Sequence, residues 1–408
     1  MKAVLLAIGD ELLDGRTTDS NSVWIAGELL RLGIPVARKI ICSDEIADLK
    51  AALGEACSYG QIVVSTGGLG PTEDDRTREV LAGFAGVELV HDEEAWSEIA
   101  AFYRGRSRQV PEANRRQALM PVGAERLSNP LGTAPGIALQ LESGHRLFAI
   151  PGVPSEAKRM FTDQVAPRIR DLGTAMVQRT LAFAGVSESE LGGRIAEFAM
   201  DGQDVRVGIT ANWGLIRVTA RASGEGCEAR MAPVLEEIRQ RCAEWYLGEG
   251  RGELADFLVE RLLARGEHIA FAESCTAGLA CATLAQVPGV SAILESSFVT
   301  YADAAKQELL AVPQELLESE GAVSEACVRA MCEGLAARSG AELCLAISGI
   351  AGPGGGSEEK PVGLVYIGAL YRGEFRCLKR RHGAIPRQQI RRRAVADSFV
   401  LGLQLSAS

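Results

Sequence analysis

The chain has 408 residues, 47% hydrophobic and 24% charged, with a formal net charge of −10. That length predicts two or three structural units rather than one. No window approaches the apolar length of a membrane span, and the acidic balance disfavours direct nucleic-acid binding, which needs a basic surface for phosphates.

In chain order, short apolar runs at Val4 to Ile8, Val36 to Ile41 and Ile62 to Ser65 alternate with amphipathic segments at Ser20 to Leu32 and Ile46 to Cys57. This alternation predicts a parallel sheet wrapped by helices, with Gly33 ending the first helix and Asp44 as N-cap of the second. Gly136 to Leu141 and Leu147 to Ile150 extend the sheet, and Pro154 to Val165 reads as a closing helix, so a first unit spans residues 1–173. A small α+β unit follows over 174–248. Its strands are expected at Met176 to Phe183 and Ile216 to Ala222, its helices at Glu188 to Phe198 and Ala229 to Trp245, and an interdomain spacer is its plainest role. The run Gly248-Glu249-Gly250-Arg251-Gly252 reads as a linker. The last unit, 252–408, begins with a helix over Glu253 to Ala264 and places strands at Ile269 to Ala272, Leu343 to Ser348 and Val362 to Tyr371. It closes with a helix over Arg387 to Leu405. The fold class is α/β throughout. The ten cysteines lack Cys-x-x-Cys spacing and read as reduced thiols. The apolar run within Met1 to Asp10 is too short for a secretory signal, so the cytoplasm is the expected compartment.

Two segments carry chemistry. In the first unit, the loop Ser65 to Asp75 follows an apolar strand and opens a helix, where an α/β sheet usually binds its ligand. Gly67, Gly68 and Gly70 allow close backbone approach, Thr72 supplies a hydroxyl, and amides at the helix start suit a phosphate. Asp74 and Asp75 suit a divalent cation, and Asp10 with Glu11, just after the first strand, adds a second acidic pair facing the same edge. Which carboxylates touch the metal stays open. The turns Asn129 to Gly136 and Pro151 to Pro154 complete the crevice walls.

In the last unit, Ser274 lies between an apolar strand and the helix Leu279 to Leu284, at a turn whose free amides can stabilise an oxyanion. Cys275 is the competing nucleophile. None of His91, His145, His268 and His382 lies in a motif that would pair with it. Arg387, Arg391, Arg392 and Arg393 form a basic stretch on the final helix, read either as solvated surface or as a phosphate clamp.

Gly9-Asp10-Glu11-Leu12-Leu13, Thr66-Gly67-Gly68-Leu69-Gly70-Pro71-Thr72, Gly132-Thr133-Ala134-Pro135-Gly136 and Pro151-Gly152-Val153-Pro154 resemble the CinA family nearly end to end. The resemblance implies a molybdopterin-binding-like three-layer αβα first domain, a KH-like middle module and a C-terminal α/β amidohydrolase domain. It names two substrates. The first domain would hydrolyse the pyrophosphate of ADP-ribose with a divalent metal (Mg, Mn or Co), a monovalent cation being a further candidate, with Asn129 among its substrate contacts. The last would deamidate nicotinamide mononucleotide without a cofactor. Ser274 and Lys306 match the family's catalytic serine and lysine, and Tyr301 its third polar group. An amide needs a nucleophile, a base and oxyanion donors, and a lysine can serve as base when desolvation disfavours its ammonium form. Thr276, Gly278, Gly352, Gly354, Gly355, Gly356, Ser357, Arg391 and Arg392 would contact the nucleotide. The family also suggests a homodimer. Three positions depart from its pattern. Ser20 replaces a usual threonine, Ala277 replaces glycine and adds a methyl group near the oxyanion site, and Asp303 replaces asparagine and sets a negative charge near Lys306, so rate and pH profile should differ. A non-enzymatic competence or DNA-damage protein acting through a recombination partner, or an enzyme with only one working site, are the alternatives.

Overall fold

A computed structural model describes residues 1–200 and 203–407. They form two compact units, Met1–Val177 with Ser223–Cys227, and Gln178–Ala222 with Glu228–Ser408. Among the described residues no helix is long and apolar enough to cross a membrane.

The first unit carries β1 (Ala3–Ile8), α1 (Ser20–Arg31), β2 (Val36–Cys42), α2 (Ile46–Tyr59), β3 (Ile62–Thr66), α3 (Thr77–Ala85), β4 (Glu125–Leu127), β5 (Gly136–Gln140), β6 (Arg146–Ile150) and α4 (Pro154–Met160). Its six-stranded sheet runs β2-β1-β3-β6-β5-β4. The first four strands in that order are parallel, as the alternation predicts, but β5 and β4 join antiparallel. The expectation of an all-parallel sheet is therefore corrected. Residues 141–145 form a tight turn between β5 and β6, too short for the crossover that a parallel pair requires. β1 is buried on both faces. Leu5 and Val64 pack with Ile25, Leu29, Ala157 and Met160 on one side, and Leu6 and Val63 with Leu49, Leu53 and Leu81 on the other. The result is a three-layer αβα arrangement. The closing helix is interrupted: Pro154–Met160 passes through a wider turn at Phe161–Val165 into Ala166–Ile169. Asp44 is not the N-cap of α2. Glu45 holds that position, and the Asp44 carboxylate accepts the Asp10 amide at 3.1 Å instead.

In the middle module β7 (Met176–Ala184), β8 (Val205–Asn212), β9 (Leu215–Ser223) and β10 (Tyr246–Glu249) form a sheet of order β8-β9-β7-β10, with α5 (Glu188–Arg194) and α6 (Cys227–Arg241). Two of these strands, β8 and β10, have no counterpart among the expected elements. β10 also takes up Gly248 and Glu249 of the expected linker, Glu249 pairing with Leu181 and the Gly250 amide bonding Thr180 O at 2.8 Å.

The C-terminal part adds α7 (Leu254–Arg265), β11 (Ile269–Glu273), α8 (Leu279–Leu284), β12 (Leu294–Val299), α9 (Asp303–Leu310), α10 (Glu325–Ser339), β13 (Leu343–Gly349), β14 (Leu364–Tyr371), β15 (Glu374–Arg381) and α11 (Arg387–Leu405). The sheet order is β12-β11-β13-β14-β15, with the first three strands parallel. α11 carries eleven buried residues, among them Phe399, whose ring meets Phe271 of β11 edge-on at 6.2 Å. Truncating so buried an aromatic costs about 3–5 kcal/mol, so this contact fixes α11 against the sheet. Ala182, Ala184 and Leu215 of the middle module share one apolar cluster with Leu254, Phe257 and Val400. The module is packed into this unit and is not a spacer.

Candidate active sites

The last unit brings its chemistry to the carboxyl edge of three neighbouring parallel strands. Ser274 follows β11, the segment 300–306 follows β12, and the glycine-rich loop follows β13. Ser274 is 9% exposed, and its amide donates to Ile347 O at 2.9 Å, while Thr300 N donates to Glu273 O at 2.9 Å. These two bonds tie the nucleophile-bearing turn to both neighbours.

Lys306, on the first turn of α9, is 1% exposed. Its ammonium donates to Asp303 Oδ1 at 3.1 Å and to Tyr301 O at 3.3 Å, so Asp303 makes an ion pair with the candidate base. Tyr301 lies beyond the end of β12 and is 55% exposed, not a half-buried strand aromatic. Its hydroxyl accepts from Arg387 at 3.0 Å, and the same guanidinium donates to Gly352 O at 2.7 Å. One turn along α11, Arg391 donates to Thr276 O at 2.6 Å. Positions i and i+4 share a helix face, which explains why the structure brings Arg387 and Arg391 to the site while Arg392 is exposed. Thr276 Oγ1 and Arg391 Nε are both buried without a hydrogen-bond partner among the described residues.

The helix after Ser274 does not offer its first amides. Glu273, fully buried, accepts from Ala280 N at 3.0 Å and Cys281 N at 2.9 Å, so the expected free helix start is already occupied. The Ala277 amide is likewise engaged by Ser274 O. Ala277 itself has φ +49°, which accounts for the glycine usual there. A side chain in this left-handed region costs roughly 1 kcal/mol. Cys275 is 4% exposed, and burial pushes its thiol up to about 12, which keeps it protonated at neutral pH. Within the loop, Gly352 is buried, whereas Gly354, Gly355, Gly356 and Ser357 are exposed. The Ser357 hydroxyl is occupied by Lys360 N at 3.0 Å in a local turn. Gly278, φ +87°, is the N-cap position of α8.

The first unit holds a cavity of about 420 Å³ lined by Glu11, Asp44, the Gly67 to Gly70 loop, Asp74, Asp75 and Glu156. A Cβ on Gly67 would stand 2.3 Å from Ile8 O, and one on Gly70 2.3 Å from the Asp75 carboxylate, so the loop closes only with glycine. Asp75 is the loop's internal staple, since its Oδ2 accepts from both Thr72 N at 2.9 Å and Thr72 Oγ1 at 2.5 Å. Asn129 shapes its own turn, accepting from Leu131 and Gly132 and donating to Glu156 at 2.7 Å. Asp10, Thr72 and Asn129 do not line the cavity itself. Sequence reasoning missed three members of this site. Arg78, 1% exposed and lowered by burial to about 10, donates to Leu69 O at 2.6 Å and stays charged. Glu156 lines the cavity from α4. Asp44 follows β2 just as Asp10 follows β1, a signal that was available from strand order. Burial raises the Asp44 carboxyl, an effect offset in part by the Asp10 amide and strengthened by the charges of Asp10, Glu11 and Asp74.

Such an accumulation of like charge beside a phosphate-sized glycine cradle suits a hard divalent cation. Among the described residues no three such side chains already form a closed ligand set, so phosphate oxygens or water would have to complete the shell.

Three family models tile the chain: "Probable molybdopterin binding domain" over 4–171, "Damage-inducible protein CinA KH domain" over 178–248 and "CinA C-terminal domain" over 251–405. A "CinA-like protein" of Parasynechococcus marenigrum (strain WH8102) is 41% identical over 369 residues, covering 89% of this chain and 88% of its own. A second, from Anaeromyxobacter dehalogenans (strain 2CP-C), is 38% identical over 404 residues and covers 98% of both chains. A solved structure of competence/damage inducible protein CihA from Agrobacterium tumefaciens is 38% identical, covering 37% of this chain and 94% of that one with a TM-score of 0.35.

Proposed function

The chain belongs to the CinA family, and on that premise we propose that its C-terminal site hydrolyses the carboxamide of nicotinamide mononucleotide to the carboxylate and ammonia. The observation that carries this reading is the delivery of Ser274 and the buried Lys306 to one sheet edge by adjacent parallel strands, with Thr276 and Arg391 holding unspent donors beside them. In the reaction the Lys306 ammonium first releases a proton from its resting pair with Asp303, and Ser274 Oγ attacks the amide carbon as the resulting amine takes the hydroxyl proton. The Cys275 and Thr276 amides would serve the oxyanion. Lys306 returns the proton to the nitrogen, the C–N bond breaks and ammonia leaves. Water then cleaves the Ser274 ester by the same base, restoring the serine and releasing the acid. Arg391 and the Thr276 hydroxyl bind the nucleotide phosphate, and Arg387 holds Tyr301 against the Gly352 loop. No cofactor enters these steps.

The N-terminal cavity is proposed to cleave the pyrophosphate of ADP-ribose, water attacking one phosphorus and the bridging oxygen leaving, to give AMP and ribose 5-phosphate. Carboxylates among Glu11, Asp44 and Asp74, with phosphate oxygens or water completing the shell, would hold a divalent cation, which when bound would polarise a phosphate oxygen. The glycine-loop amides cradle the diphosphate, and Arg78 and Asp75 hold that loop in shape. A cytoplasmic homodimer recycling pyridine nucleotides accommodates both activities. Ammonia release from nicotinamide mononucleotide by the full chain tests the reading. Turnover lost on Ser274→Ala supports it, and no turnover by the wild type at high enzyme concentration rejects it.

A further inference from the structure

Thr300 directly follows β12 and is fully buried, yet its hydroxyl has no hydrogen-bond partner among the described residues. Its backbone position is fixed. The bond from Thr300 N to Glu273 O extends the β11–β12 pairing one step past Glu273 opposite Val299, which sets Thr300 beside Ser274 at about the 4.8 Å spacing of neighbouring strands. The face it occupies follows from Phe298, two residues earlier, which packs on the cluster containing Ala270, Ala272 and Leu310. Leu310 ends α9, the helix that carries Lys306, and the next residue, Tyr301, supplies the carbonyl that the Lys306 ammonium bonds. Ser296 and Ser297 also have unpartnered hydroxyls, but they lie within β12, short of its carboxyl end, in residues only partly buried. Native interiors leave few buried hydroxyls unpaired, so one in register beside Ser274 and one residue before the carbonyl that holds Lys306 points to a polar partner that arrives with the substrate.

We infer that the Thr300 hydroxyl is a specificity-determining group that accepts a hydrogen bond from the NH₂ of the scissile carboxamide. A primary amide brings one acceptor and two donors. The turn amides take the acceptor, and Thr300 takes a donor, which aims the leaving nitrogen at Lys306. An ester of the same acid has no N–H to give, so Thr300 discriminates amide from ester. This inference rests on the amidohydrolase reading.

The test compares hydrolysis of nicotinamide mononucleotide with that of the methyl ester of nicotinic acid mononucleotide, in the full chain, for wild type, Thr300→Val and Thr300→Ser. Thr300→Val is expected to lower kcat/KM for the amide by about tenfold or more, with the ester rate unchanged, and Thr300→Ser to restore the amide rate. The amide-to-ester ratio cancels the fraction of folded enzyme, so it stays decisive for a partly unfolded Thr300→Val and for a second variant, Thr300→Ala. A ratio equal to the wild-type ratio in the valine and alanine variants overturns the inference while leaving the amidohydrolase reading intact. A wild type that hydrolyses neither compound overturns both.

Discussion

The two candidate sites use opposite materials. The C-terminal one is built from buried groups, Ser274 at 9% and Lys306 at 1% exposure, Ser274 bonded to the neighbouring strand and Lys306 to Tyr301 O and Asp303. The N-terminal one gathers carboxylates around an open glycine cradle, with Asp44 raised by burial and by its acidic neighbours. On the proposed reading, the contrast follows from where each reaction would get its driving group. A site that carries its own nucleophile must desolvate and orient it beforehand, whereas a site that cleaves a diphosphate with water can leave its acids hydrated until cation and substrate neutralise them.

The largest expected effect separates the sites outright. Ser274→Ala and Lys306→Ala should each lower ammonia release by about 10³-fold or more, while ADP-ribose cleavage by the same preparations stays at wild-type rate. Loss of both activities together would show that the sites are not independent. Next, Asp44→Asn and Asp74→Asn should reduce ADP-ribose cleavage by roughly 10- to 100-fold and leave deamidation unchanged. Asp75→Asn should also lower the melting temperature, because that carboxylate staples the loop through Thr72. Arg391→Ala is expected to raise KM for nicotinamide mononucleotide about tenfold with a smaller change in kcat, as loss of a charge-assisted phosphate contact would.

Smaller effects bear on the choice of nucleophile. With its thiol pushed up to about 12, Cys275 carries essentially no thiolate at pH 8. Cys275→Ala should therefore keep deamidation within about threefold, and Cys275 should resist alkylation at that pH by mass spectrometry, thiolate reactivity appearing only as the pH approaches 12. Smallest, Ala277→Gly should stabilise the protein by about 0.5–1 kcal/mol in thermal unfolding, by relieving a left-handed alanine.

Much of the architecture is legible in the sequence for a definite reason. The apolar runs that open β1, β3 and β11 mark buried parallel strands, and α11 matches its expected bounds because Pro386 immediately precedes it and its apolar residues bury. What escaped depends on pairing. β8 and β15 have partly exposed faces and weak apolar signals, β10 begins among aromatic residues ahead of glycines that mimic a linker, and β5 turns antiparallel through a tight connection. At the sites, motif spacing locates Ser274, Lys306 and the glycine loop. It does not reveal that Glu273 fills the α8 amides or that the helix face shared by Arg387 and Arg391 is the one turned to Tyr301 and Thr276. Those facts belong to three-dimensional contacts that no local pattern encodes.

Ser274 as nucleophile is tested most directly by mass spectrometry of the enzyme after rapid acid quenching during turnover of nicotinamide mononucleotide. The serine mechanism predicts a transient ester of the nucleotide acid on the peptide containing Ser274, absent in Ser274→Ala. An adduct on Cys275, or continued ammonia release by Ser274→Ala, would contradict it.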